Sequence, residues 1–509
     1  MVHLSKSKYC GLWQCPKIAW LKKYKPDEIT IDDSVAARMA AGNEVGDLAM
    51  GLFGDFVEVT AYDGEQLDLT AMIRKTQEEM AKGTENICEA SFNYNGLYCA
   101  VDILRKSDSG WAIYEVKSSC KHQKDDGSWT DDKEVYLADI AYQKYVLEHC
   151  GVTVTGAFLV CINGDYVFDG TLDLQKFFYI SEVTDSIRQE EQNIAYNLAT
   201  AEKILSSEEE PDIDLNENCN KPYRCAFWQY CSYHIPDESV FNLYRLQFKK
   251  KIEYYRKGWV TYEELLHNAP IKNEKQLRQI EFGLQDKGTY TDQAEIWAFL
   301  QKLSYPLYFL DFETMQPAVP QFVGTKPYQQ IPFQYSLHYI EHEDGELKHK
   351  EFLGVSGEDP RRALAEQLCA DIPLDVCTTA YNKAFECTRL KELAAAFPDL
   401  ADHLLNIRDH IVDLLVPFQS GFYYNRAMGG SFSIKSVLPA IFPDDPALNY
   451  HNLEGVHNGG EAMTVFLKIK DMSPEEQEKT RHNLLKYCEL DTYAMVKVWE
   501  ELVRVSKNS

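Results

Sequence analysis

Two periodicities divide the chain. Short apolar runs bounded by turn residues read as strands, and longer segments with apolar residues every three or four positions read as helices. In the N-terminal part, "SVAARMAAGNEVGDLAMGLFG" (34–54) and "LTAMIRKTQEEMAKG" (69–83) have helical composition. Three strand-like runs follow: "ICEASFNYN" (87–95), "GLYCAVDILRK" (96–106) and "WAIYEVKSS" (111–119). Asn95-Gly96 marks a two-residue hairpin between the first two, since both residues tolerate the positive φ of such a turn. A helix, "EVYLADIAYQKYVLEHC" (134–150), and a strand, "VTGAFLVCI" (154–162), complete this pattern. The acidic "SSEEEPDIDLNEN" (206–218) reads as a loop or short linker, and 237–303 is charged and helical with little strand character. The C-terminal part opens on the strand "YPLYFLDFETM" (305–315), then "PFQYSLHYIEH" (332–342), "LKHKEFLGV" (347–355), a helix near 359–370 and the strand "DVCTTAYN" (375–382). Its remainder is mostly helical, with the most regular apolar spacing over about 474–506. The expected organisation is an α/β domain over 1–235, a basic helical connector over 236–303 and a second α/β domain over 304–509.

Size agrees with this division, because 509 residues exceed what one core accommodates. The formal charge of −27 argues, as a sum, against a polyanionic partner. Its distribution argues otherwise. Lys6, Lys8, Lys17, Lys22, Lys23 and Lys25 fall in the first 25 residues without an acid, and "YRLQFKKKIEYYRKGW" (244–259) carries six Lys/Arg against one Glu. Such patches can follow a phosphate backbone, although each alone is equally a solvated helix face. No run approaches the ~18 apolar residues of a membrane span, and the N-terminus lacks the apolar stretch of a signal peptide. The expectation is a cytoplasmic protein without a membrane partner, whose 14 cysteines stay reduced.

Acids on strands carry the candidate chemistry. Side chains two apart on a strand share a face, so Asp311 and Glu313 stand side by side at the end of an apolar run. Two unpaired carboxylates there would repel and lose hydration, and a divalent cation would remove both penalties. The plain alternative is a strand ending at a polar edge. In the N-terminal part Glu89, Asp102, Glu115 and Lys117 recur on the three strands, with Gln143 on the following helix. Phosphodiester hydrolysis uses these types together: carboxylates hold Mg²⁺ or Mn²⁺, and a lysine orients water or neutralises developing charge.

The order D…E-x-K…Q on these elements resembles the RecB-like branch of the PD-(D/E)xK nucleases, over roughly residues 8–235. The resemblance implies metal binding by Asp102 and Glu115, with Glu89 as an additional acid. It also implies a catalytic role for Lys117 and support from Gln143 with Tyr142 or Tyr145. One position departs: Gly46, in "GNEVGD", stands where many relatives carry a metal-binding histidine. Downstream, "CNKPYRCAFWQYC" spaces Cys219, Cys225 and Cys231 at C-x5-C-x5-C, which suggests thiolate ligation of an iron–sulfur cluster or, as the lesser alternative, zinc. RecB-like nucleases with a 4Fe-4S cluster use one cysteine before the nuclease core and three after it. Cys15 in "QCPKIAWL" resembles that first cysteine better than Cys10 does.

In the C-terminal part, "YNKAFE" puts Asn382 before Glu386 at a helix start, and "YCELD" puts Tyr487 and Asp491 on one helix face. The pattern D-x-E, N-x-x-F-[D/E], Y-x-x-x-D resembles the DEDD exonucleases of DnaQ-like, RNase H-like fold, in their DEDDy subgroup. It also resembles an uncharacterised bacterial domain carrying "LDFET" and "YCELDT", which commonly follows a RecB-like domain. The resemblance implies two Mg²⁺ or Mn²⁺ ions held by Asp311, Glu313, Glu386 and Asp491, with Tyr487 orienting water. It further implies 3′→5′ release of nucleoside monophosphates. Glu386 departs from the usual Asp. Ser433 and Lys435, in "GGSFSIKSVLPAIFP", belong to the same resemblance as candidate strand contacts. The expected protein is a bacterial nuclease acting on single-stranded DNA or DNA ends, in repair, recombination or defence, with a helicase as a possible partner. The alternatives are a RecB-like domain that only clamps nucleic acid, or a scaffold with both sites silent.

Overall fold

The computed structural model describes residues 4–30 and 33–507. The chain is a mixed α/β protein that folds as two compact units. Unit 1 runs to His234 and also includes Pro317–Tyr328; unit 2 comprises Ile235–Gln316 and everything from Gln329 onward. The stretch 236–303, expected as a separate connector, is therefore part of unit 2. Its helices are Phe248–Arg256, Tyr262–Asn268, Glu274–Leu284 and Gln293–Leu300, and the last two flank a short strand, Thr289–Thr291, that pairs antiparallel with Tyr423–Asn425. Residues 317–328, expected in the C-terminal domain, pack in unit 1, where Ala318 joins a core cluster with Ile103, Val116 and Ile162.

Unit 1 is built on a seven-stranded mixed sheet. Its strands are β1 (Leu4–Ser5), β2 (Val57–Glu58), β3 (Asn86–Tyr94), β4 (Leu97–Ser107), β5 (Gly110–Lys121), β6 (Val154–Asn163) and β7 (Phe178–Glu182). The order is β2-β3-β4-β5-β6-β7, with β1 beside β4. The β3–β4 turn is the expected Asn95-Gly96 pair, with φ of 50° and 86°, and the Asn93 side chain accepts the Gly96 N–H at 3.0 Å. The Glu134–His149 helix packs Ala138, Ala141, Tyr142 and Leu147 against Ile87, Val101 and Ile113 of the sheet.

The sequence gives no strand pattern for residues 4–5, yet packing fixes this segment. Leu4 pairs with Leu97 in parallel register, the Tyr142 hydroxyl donates to the Leu4 carbonyl at 2.8 Å, and Tyr9 stacks on Tyr142 at 4.6 Å. Leu4 and Tyr9 are both fully buried, and burying one such side chain stabilises by about 1.5–3 kcal/mol. The Lys6–Gln14 helix is thereby anchored at its start.

Unit 2 holds a five-stranded sheet of β8 (Leu307–Met315), β9 (Ile331–Ile340), β10 (Lys348–Leu353), β11 (Cys377–Ala380) and β12 (Ile411–Asp413), in the order β10-β9-β8-β11-β12. β9 is antiparallel to both β8 and β10, while β11 and β12 run parallel to β8. The C-terminal helix, Pro474–Lys507, buries Leu484, Tyr487, Cys488, Asp491, Met495, Val498 and Leu502 on one face. That face lies on β8 and β9: Gln334 Nε2 donates to the Leu484 carbonyl at 2.8 Å, and the Phe309 and Trp499 rings are 5.9 Å apart. Among the described residues no helix is long and apolar enough to cross a membrane.

Candidate metal centres and cysteine group

In unit 2 the central strand β8 presents Asp311 and Glu313 on one face, while Phe312 points into the core beside Tyr335. The β8–β9 register shifts between Glu313 and Thr314. This irregularity ends the regular pairing at the acid pair, as bulges beside functional sites commonly do. Asn382, with φ of 66°, turns the chain after β11, and its N–H donates to Asp413 Oδ1 at 2.9 Å. The turn starts the Ala384–Ala396 helix, which carries Glu386 in its first turn. Tyr487 and Asp491 arrive from the C-terminal helix. A Cβ on Gly459 would stand 3.4 Å from Glu313 Oε2, so the small residue admits the chain close to this carboxylate.

The resulting pocket is over-supplied with acids. Burial and the Asp491, Glu313 and Glu386 carboxylates hold Asp311 well above the usual range. Burial, then Asp491, pushes Glu313 up to about 8. Burial takes Glu386 to about 8 and Asp491 to about 6. Lys435 opposes the shift at Asp311, Glu313 and Asp491. Glu386 Oε2 is buried without a hydrogen-bond partner among the described residues. Hard oxygen donors in a buried group with too few cations suit Mg²⁺ or Mn²⁺.

Three participants go beyond the candidate motif or sharpen it. Tyr450 donates its hydroxyl to Asp491 Oδ1 at 2.6 Å. Lys435 donates to the Tyr487 hydroxyl at 3.3 Å and sits over both tyrosine rings. Cys488 offers a sulfur within 4.8 Å of ligand atoms of Asp311 and Glu313. No spacing rule reveals Tyr450, which opens a single 3-10 turn, Tyr450–Asn452, outside the strand and helix motifs in sequence. The Ser433 hydroxyl bonds those of Ser431 and Ser436 instead of a carboxylate.

Unit 1 gathers a second set. Glu89 on β3 has φ of 57° and stands opposite Asp102, between the Cys88–Ile103 and Ala90–Val101 pairs of the β3–β4 ladder. Asp102 on β4 accepts the Val116 N–H at 2.7 Å. Glu115 and Lys117 on β5 form an ion pair at 2.5 Å, and Lys117 also reaches Asp139 at 2.7 Å. Gln143 Nε2 donates to Glu115 at 2.7 Å and to Asp139 at 3.0 Å. Its Oε1 is buried without a partner among the described residues. Tyr142 serves the β1 contact instead of the acids.

Two groups in this cluster escape the D…E-x-K…Q pattern. Asp139 sits one helical turn before Gln143, and Lys6 comes from the N-terminal helix, bonding Asp102 Oδ1 at 3.3 Å and the two Glu115 oxygens at 3.0 and 3.1 Å. Burial opposes ionisation of Glu115, but Lys117 and Lys6 overcome it and hold the carboxyl far below its usual range. Burial pushes Asp102 up to about 6 and Glu89 to about 7. A Cβ on Gly46 would meet nothing within 4 Å.

The cysteines of the C-x5-C-x5-C run lie near Cys15, with Cys15, Cys225 and Cys231 packed against one cluster of Ile18, Trp20, Leu21 and Phe227. Burial raises the thiols of Cys15, Cys219, Cys225 and Cys231, the last to about 11, and in Cys231 the other three contribute by their charge. Gln14 Nε2 ties the N-terminal helix to this loop through the Asn218 and Tyr223 carbonyls, at 3.0 and 2.9 Å. Backbone N–H groups point at sulfur, as at Asn216 N to Cys219 Sγ, 3.4 Å. Cys10 instead feels Asp139, Lys117 and Lys6, and so faces the carboxylate cluster.

Residues 308–433 match the family model of a domain of unknown function, DUF2779. The chain is also similar to an uncharacterised protein, UU173, of Ureaplasma parvum, at 29% identity over 226 residues. That match covers 40% of this chain and spans about a third, 32%, of the relative's length.

Proposed function

We propose that this chain is a metal-dependent nuclease whose principal site is a 3′→5′ exonuclease in unit 2. The observation that carries this reading is the placement of Asp311 and Glu313 side by side on β8, with the buried Glu386 and Asp491 from two helices close enough to act on Asp311 by their charge. The sheet order, with β8 central, an antiparallel β9 followed by β10 on one side and the parallel β11 and β12 on the other, supports a DnaQ-like, RNase H-like domain. Mg²⁺ or Mn²⁺ on these four carboxylates would supply Lewis-acid polarisation of a phosphodiester and a hydroxide nucleophile at neutral pH. The chain's own groups do the positioning. Burial and the neighbouring acids hold the Tyr487 phenol far above its ordinary range, so it orients by hydrogen bonding and does not act as a base. Lys435 holds that hydroxyl, and Tyr450 fixes one oxygen of Asp491. Glu386 reaches further than the usual Asp.

In the same reading unit 1 is a RecB-like domain with Asp102, Glu115 and Glu89 as metal-binding acids, Lys117 catalytic and Gln143 supporting. Its role as a nucleic-acid clamp is favoured by Gly46 and by Lys6, which already pairs with Asp102 and Glu115. Cys15, Cys219, Cys225 and Cys231 would hold an iron–sulfur cluster, with zinc as the lesser alternative. The setting is cytoplasmic, on single-stranded DNA or DNA ends, with a helicase or repair partner.

The test uses 5′-labelled single-stranded DNA and RNA with Mg²⁺ or Mn²⁺, comparing wild type, Asp311→Ala and Lys117→Ala. The expected result is a ladder shortening from the 3′ end, abolished by Asp311→Ala and retained by Lys117→Ala. Products that survive Asp311→Ala but vanish with Lys117→Ala would move the chemistry to unit 1. No turnover by any protein would leave a scaffold.

A further inference from the structure

The N-terminal helix places a lysine between the two acids of unit 1 that the D…E-x-K pattern reserves for metal. Lys6 Nζ lies 3.3 Å from Asp102 Oδ1 and 3.0 Å from Glu115 Oε1, and only 22% of its side chain is exposed. It is a built contact. Strand β1 pairs Leu4 and Ser5 with Leu97 and Tyr98, the Ser5 side chain caps the helix at Lys8 N, and Tyr9 stacks on Tyr142. Backbone pairing, a cap and an aromatic stack within six residues aim one ammonium at one carboxylate pair. Lys117, by contrast, is shared between Glu115 and Asp139.

We propose that Lys6 is the resident cation of the unit 1 site, and that a divalent ion binds Asp102 and Glu115 only by displacing it. This rests on the reading of unit 1 as RecB-like, and is independent of the exonuclease assignment to unit 2. The charge count supports exchange over simple addition. Glu89, Asp102, Glu115 and Asp139 face Lys6 and Lys117, so two of the four acids remain unmatched. A divalent ion in place of Lys6 adds one positive charge to the cluster and keeps its oxygens ligated. Gln143, whose buried Oε1 has no partner among the described residues, borders Glu115 and Asp139. Displacement removes the ion-pair tie of the helix while the Leu4 and Tyr9 contacts remain, so metal loading and the order of the basic N-terminus become linked. Linkage of this kind is reciprocal.

The experiment is Mn²⁺ titration of the full chain carrying Asp311→Ala, which removes the central ligand of unit 2, followed by calorimetry and Mn²⁺ paramagnetic resonance. Adding Lys6→Met keeps the aliphatic stem and removes the charge. The expected result is Mn²⁺ affinity at least ten-fold tighter with Lys6→Met, with that binding lost when Glu115→Gln is also present. Equal or weaker affinity overturns the proposal while leaving a unit 1 metal site in place. No Mn²⁺ binding in either protein overturns both the proposal and the metal reading of unit 1. A second measurement needs no variant: amide exchange over residues 5–14 should quicken when Mn²⁺ saturates unit 1. Unchanged protection there, with Mn²⁺ bound, counts against displacement.

Discussion

At the residue scale, Glu386 separates a metal ligand from a structural acid. One of its oxygens is buried and unpartnered among the described residues, and burial raises its carboxyl to about 8, so in the metal-free chain that oxygen contributes desolvation and no bond. Glu386→Gln preserves shape and should raise the metal-free melting temperature by a few degrees, while removing the Mn²⁺-dependent increase. At a hundred times the dissociation constant that increase corresponds to about 2.7 kcal/mol in wild type. Calorimetric melting with and without Mn²⁺ checks both halves, and a variant that loses stability but keeps the metal response would show a packing role. Tyr487→Phe should lower kcat by about 10²-fold, the lower range of a positioned hydrogen-bonding group in catalysis, with Mn²⁺ affinity within two-fold of wild type. A fall in affinity matching the fall in kcat would make the tyrosine a support for Asp491.

At the element scale, the C-terminal helix is seated on β9 by a polar network. Ser336 Oγ meets Thr492 Oγ1 at 2.6 Å and His349 Nε2 at 2.9 Å, and His338 Nδ1 meets Thr492 Oγ1 at 2.8 Å. The groups facing His338 are Thr492, Tyr493, Glu489 and the tilted ring of His349 at 4.5 Å. Burial, then His349, lowers its pKa from 6.5 to about 4. A histidine held neutral in the fold takes up its proton first in the unfolded chain. The stability it contributes is complete above about pH 6.5 and falls as pH drops towards 4. The full loss is roughly 3 kcal/mol. Wild type minus His338→Gln, measured by urea unfolding between pH 7 and 4, isolates this slope, and a difference that stays constant with pH would refute it.

The elements themselves were legible to different depths. The β3–β4 hairpin and the C-terminal helix follow from Asn95-Gly96 and from regular apolar spacing. The short β12 does not, because three residues give no period, and β1 exists only through the Tyr142 and Leu97 contacts. The carboxylates share strand faces and helix faces and could be read from spacing. Lys6, Asp139 and Tyr450 could not, since tertiary packing alone brings them to the acids.

At the scale of the molecule, each unit assembles its own site from distant sequence. In unit 1 Cys15 lies near Cys219, Cys225 and Cys231 across the entire domain, so a bound cluster would close a loop of more than two hundred residues. Cys15→Ser should abolish broad absorbance near 400 nm and the associated iron, or zinc in the colourless case, and lower the melting temperature. Unchanged metal content would remove Cys15 from the ligand set. In unit 2 the acids come from β8, the Ala384–Ala396 helix and the C-terminal helix. The most direct measurement is anomalous diffraction from crystals of the chain grown with Mn²⁺ and a short single-stranded oligonucleotide. Two peaks among Asp311, Glu313, Glu386 and Asp491, with the 3′-terminal phosphodiester beside them, are what the account predicts. Absence of a peak at those four carboxylates in Mn²⁺-saturated crystals would contradict it.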